Sequence, residues 1–86
     1  MKISQYYVHF ENPQPLDNIE ATIFALDPDA HIIPIFSGSF LIAAATSYSS
    51  LQHALDTRFN GTPRILMKIK ENSAVHVQGK TPPTNL

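Results

Sequence analysis

The chain contains no cysteine. That absence excludes a disulfide framework and any thiolate metal site, and it removes the covalent staple that often supplements a thin core. Charge is also scarce, with charged residues at 15% and a formal net charge of -1 at pH 7. So small a net charge excludes a global field that would draw the protein onto nucleic acid, leaving only a local basic stripe for such a role. No apolar run reaches the roughly 18–20 residues of a membrane span. The first residues, Met1-Lys2-Ile3-Ser4-Gln5-Tyr6, lack the apolar core of a secretion signal. With no cysteine either, the expected location is cytoplasmic.

What is present is a globular composition, 43% hydrophobic over 86 residues. That is one domain's worth of chain. A domain this small buries only about 60–65% of its unfolded surface, and association with a second copy is a common remedy. An under-charged surface also points to apolar groups reserved for an interface.

The residues Tyr6 to Phe10 form a β-rich run, with Tyr6, Val8 and Phe10 on one side and Tyr7 and His9 on the other. Both sides are fairly apolar, as in a central strand, and Pro13 and Pro15 stop it. Leu16, Ile19, Ile23 and Leu26 recur at helical spacing, with Pro15 and Asp17 at the start and Asp27-Pro28-Asp29 at the end. Residues 30–36 and 40–45 read as strand, tight turn and strand around Ser37-Gly38-Ser39. Pro34 assigns the first of these to a sheet edge, and the unbroken apolar second run is a central strand. Ser47 to Ser50 supply helix caps before the stripe Leu51, Ala54, Leu55, Arg58 and Phe59, which Gly61 and Pro63 terminate. Residues 64–70 alternate, which predicts Ile65, Met67 and Ile69 on a covered face and Arg64, Leu66, Lys68 and Lys70 on a wet one. A short last strand is expected over 74–78 and a disordered proline-rich tail over 80–86. The order predicts an α+β domain over 1–79, a ferredoxin-like β-α-β-β-α-β plait with an extra C-terminal strand, both helices on one face of an antiparallel sheet.

The first strand, Tyr6-Tyr7-Val8-His9-Phe10-Glu11-Asn12, resembles that of the small CRISPR-associated adaptation proteins (the second Cas protein) and their SinR-like and virulence-associated-protein-D-like relatives. Ser39-Phe40-Leu41-Ile42 is similar to their third strand, and the stretch from Leu55 through Arg64 to Ile69 to their second helix and fourth strand. The resemblance covers roughly residues 5–79 as pattern rather than identity. It implies a plait that dimerises through its sheet. Some members are Mg²⁺-dependent nucleases whose acid is an aspartate at the end of strand one; here that position holds Glu11. The extra methylene moves the carboxylate by about 1 Å, a displacement that catalysis tolerates poorly. The expected function is therefore a small dimeric, non-enzymatic interaction protein that binds or occludes a partner, in a defence, anti-CRISPR or toxin-antitoxin setting, with no cofactor. The alternative is a Mg²⁺-dependent nuclease with Glu11 as catalytic and metal-binding residue.

The residues expected to carry the interaction are Tyr7, His9, Leu66 and Lys68 on the sheet face opposite the helices, with Val75 and Val77 of the last strand adding to a neighbour's sheet edge. Arg64, Lys68 and Lys70 are candidate phosphate contacts, set against the plainer reading of a solvated edge strand. Glu11 and Asp17 would form an acidic pair only if the fold joins strand one to helix one there. None of His9, His31, His53 and His76 has zinc-motif spacing; packing is their ordinary role, and interfacial histidines would make dimerisation depend on pH. Ser37-Gly38-Ser39 lacks the glycine spacing and lysine of a phosphate loop and reads as a hairpin turn. Tyr48 and its neighbouring serines have no base nearby in sequence, which leaves a serine nucleophile without support.

Overall fold

The computed structural model describes residues 2–70. Its elements run β1 (Ser4–Phe10), α1 (Leu16–Leu26), β2 (His31–Pro34), β3 (Ser39–Ala44), α2 (Tyr48–Arg58) and β4 (Arg64–Ile69). The strands form one antiparallel sheet in the order β2-β3-β1-β4, giving a small α+β architecture with two helices. The last strand expected over 74–78, with Val75 and Val77, and the tail over 80–86 lie outside the described residues. Among the described residues, no helix is long and apolar enough to cross a membrane.

Both helices cover the same face. Ile19 and Ile23 of α1, and Leu51 and Leu55 of α2, join Tyr6, Val8, Phe10, Phe40, Ile42, Ala44 and Phe59 in a single buried cluster. Residues spaced by three or four on each helix thus meet residues spaced by two on the strands. Phe10 anchors the cluster edge-on against Phe40 and Phe59, with ring centroids 6.4 and 5.0 Å apart. Arg58 of α2 donates to the Asn18 side chain of α1 at 3.2 Å and ties the helices together.

Local chemistry sets the ends of the elements. The Ser47 hydroxyl accepts from the Ser50 amide and caps α2. Gly61 takes φ +81° just beyond α2, in the left-handed region expected of it. Gly38 is under a stricter demand: its φ is +83°, and a Cβ there would lie 2.6 Å from the Phe10 carbonyl oxygen. The two chains come this close because the Phe10 amide donates to the Gly38 carbonyl at 2.7 Å. At the far end of α1, the Asp27 carboxylate accepts from the amides of Asp29 (3.0 Å) and Ala45 (2.8 Å), fastening the helix terminus to the end of β3. Those two backbone hydrogen bonds, the Ala45 bond first, hold the Asp27 carboxyl below its ordinary pKa.

Hydrogen-bond direction also explains the edges. The Phe10 amide points toward β3 and the Glu11 amide donates to Pro63, on the β4 side. Alternate residues of an antiparallel strand share a direction, so Arg64, Leu66 and Lys68 aim their backbone groups away from β1. The Leu66 carbonyl accepts from the Tyr48 hydroxyl at 3.1 Å. On β2 the Ile35 amide donates to Ser39, which leaves Ile32 and Pro34 pointing outward. Pro34 stands where a missing N–H costs no ladder bond, as its sequence position implied.

The open face of the sheet as candidate functional site

The pairing register places three rows across the face that the helices do not cover. His31, Ala43, Gln5 and Ile69 form the first, Ile33, Leu41, Tyr7 and Met67 the second, and Ser39, His9 and Ile65 the third. None of these is an aspartate, glutamate, lysine or arginine. The β4 end is the barest, with Ile65 57% and Met67 51% exposed. Tyr7, His9, Leu41, Ala43, Ile33 and Ile69 are half-buried.

A polar cluster lies within this apolar surface. Ser39 is only 3% exposed, and its Oγ stands 2.7 Å from His9 Nδ1 and 3.1 Å from the Tyr7 hydroxyl. The Gly38 turn produces the arrangement by fixing the register that sets Ser39 opposite His9. The three groups form a hydrogen-bonded cluster centred on Ser39, with the serine more deeply buried than Tyr7 and His9. A serine so enclosed orients its neighbours; it is badly placed to attack a substrate.

Tyr7 and His9 therefore occupy the expected face. Leu66 and Lys68 do not. Leu66 pairs with Val8 and Lys68 with Tyr6 on the helix-covered side, where Leu66 packs against the core and Lys68 stays exposed at the rim. The alternation of β4 is as expected but its facing is reversed: Ile65, Met67 and Ile69 lie on the uncovered side. Hydrophobicity could not orient this strand, because the uncovered face is itself apolar. The signal that could have done so is the register, which follows from pairing Ile65 with His9.

The basic stripe is divided as well. Arg64 is drawn inward: its guanidinium pairs with Asp56 and donates to the carbonyls of Thr62 (3.0 Å) and Phe59 (3.3 Å), closing the C-terminal end of α2. That leaves Lys68 and Lys70 as its exposed members. Glu11 is exposed, one residue past β1, and Asp17 lies in the first turn of α1. Among the described residues, no three histidine, aspartate or glutamate side chains gather as a metal site. The residues sequence reasoning missed are Ser39, Ile33, Ile65 and Met67. Compared with protein-family models, with curated proteins and with solved structures, the chain matches none.

Proposed function

We propose that this chain is a small, non-enzymatic interaction module that associates with a second copy through the open face of its sheet. The reading takes the fold as a ferredoxin-like plait, which the strand order β2-β3-β1-β4 supports, and follows the resemblance to the CRISPR adaptation protein superfamily with its defence-related setting.

The observation that carries it is the chemistry of the face. Exposed Ile65 and Met67 beside Leu41, Tyr7 and Ile33 make a contiguous apolar patch of the kind that marks an interface. A two-fold contact sets the same patch against itself, so a patch bearing charge of one sign would face its own like. Among the described residues, the three rows of this face hold no aspartate, glutamate, lysine or arginine, which suits a second copy. A nucleic acid would call for cations and a charged peptide for the opposite charge.

The test is the double substitution Tyr7→Ala with Met67→Asp, which alters the face and leaves the packed cluster intact. Wild-type protein should show twice the chain mass by light scattering at neutral pH, unchanged by added salt, and the variant a single chain mass with an unaltered far-UV spectrum. A double variant that stayed dimeric would remove this face from the interface.

A further inference from the structure

Resting on that reading, we infer that Ser39 is the positioning residue of the interface: its hydroxyl satisfies the Tyr7 hydroxyl and His9 Nδ1 from within the chain, so that an apolar surface offering no polar partner can cover them.

Backbone chemistry puts the hydroxyl there. The Ser39 amide donates to the Phe36 carbonyl at 2.9 Å, and the Ser39 carbonyl accepts from the Ile35 amide at 3.0 Å, so both backbone groups of the residue are fixed. Gly38 supplies the left-handed turn, and its carbonyl accepts from the Phe10 amide at 2.7 Å, which holds the turn against β1. The register then sets Ser39 opposite His9. Its Oγ lies 2.7 Å from His9 Nδ1 and 3.1 Å from the Tyr7 hydroxyl. Both contacts are hydrogen bonds in either imidazole tautomer, because each hydroxyl can donate or accept.

The worth of that hydroxyl differs between the free and the covered face. In the single chain Tyr7 and His9 are half-buried, and water takes the place of a missing serine hydroxyl. Beneath a second copy water is excluded. The opposing Ile33, Leu41, Ala43, Ile65 and Ile69 have no side-chain group with which to replace it. Without Ser39 Oγ, the Tyr7 hydroxyl and His9 Nδ1 would be buried unpaired, at a cost of roughly five- to hundredfold in affinity per group. Among the described residues, no buried side-chain nitrogen or oxygen lacks a partner, and Ser39 extends that condition to Tyr7 and His9 once the face is covered.

Ser39 is too enclosed to meet the partner itself and acts through Tyr7 and His9. A serine that served only the packing of its own chain would show its effect in folding; this one shows it in association. The penalty also belongs to the pair of groups and not to the serine alone. Removing the orphaned hydroxyl along with its partner relieves it, because two apolar groups of matching shape need no hydrogen bond.

The experiment is sedimentation equilibrium at neutral pH on the wild type, on Ser39→Ala and on the double variant Tyr7→Phe with Ser39→Ala. Urea unfolding of each follows, at a chain concentration below its dissociation constant. The wild type should be dimeric. Ser39→Ala should raise the dissociation constant on the order of tenfold or more, while its unfolding constant changes by a smaller factor. The double variant should associate more tightly than Ser39→Ala, by about threefold or more. Ser39→Cys in reducing buffer, with its weakly bonding sulfur, replaces Ser39→Ala should that variant misfold, and should shift association the same way. A dissociation constant that Ser39→Ala leaves unchanged overturns the role of Ser39 and leaves the interface standing. Equal changes in folding and association, or a double variant no tighter than Ser39→Ala, overturn that role too. A monomeric wild type overturns the interface reading and the role of Ser39 together.

Discussion

The two faces of the sheet are made of similar side chains and do different things. On one, Tyr6, Val8, Phe10, Phe40 and Ile42 are buried under two helices. On the other, Tyr7, Leu41, Ile33, Ile65 and Met67 are just as apolar, yet half-buried or exposed. Burial is therefore decided by what lies over a strand, and hydrophobicity alone does not distinguish a core from an uncovered face. Polar groups separate the faces more clearly. The packed side binds its one buried phenol to backbone, the Tyr6 hydroxyl donating to the Thr46 carbonyl. The open side joins side chain to side chain, in the Tyr7-Ser39-His9 cluster.

Substitutions of matched chemistry should break the comparison in opposite ways. The largest stability effect is expected at Phe10→Ala, which empties the centre of the packed face and should cost about 3–5 kcal/mol by denaturant unfolding. Gly38→Ala comes next, at about 2 kcal/mol or more, because a left-handed residue gains a Cβ against the Phe10 carbonyl. Gly61→Ala, with the same sign of φ and nothing within 4 Å, should cost only about 1 kcal/mol. Equal losses at the two glycines would refute the close approach of the Gly38 turn to β1. Met67→Ala on the open face should change monomer stability by less than about 0.5 kcal/mol while weakening association.

The smallest effect concerns Asp27 and its pH dependence. Its pKa is lowered in the folded state by the Ala45 and Asp29 amides, so the carboxylate contributes stability above the ordinary aspartate pKa. That contribution is lost as the pH falls through the lower folded value. Asp27→Asn should therefore lower the Tm modestly at pH 7, with the gap to wild type closing in acid below the ordinary aspartate range. A gap that persisted in acid would mean that the loss has another origin.

Much of the fold was legible because local signals agreed. Both helices, the Ser47 cap, the left-handed Gly61, the edge position of Pro34 and the central position of β3 follow from side-chain period and backbone chemistry. The site was half legible. Tyr7 and His9 could be placed because β1 pairs an obvious inner set, Tyr6, Val8 and Phe10, with its complement. Leu66 and Lys68 were misplaced because the alternation of β4 groups its residues by side without saying which side the helices cover, and that facing is set by long-range register with β1 that no local pattern encodes. Ser39 was hidden for the same reason: in sequence it closes a turn, and only pairing sets it between Tyr7 and His9. The Arg64 clamp on α2 depends likewise on where β4 meets the helix end.

The most direct test of which face meets a partner is a concentration series of amide and methyl NMR shifts at neutral pH. Shifts that move on concentrating the protein should cluster at Tyr7, His9, Leu41, Ile65 and Met67, with the exposed Leu16 and Phe24 of α1 unmoved. The reverse pattern, movement at Leu16 and Phe24 with a silent sheet face, would contradict the account.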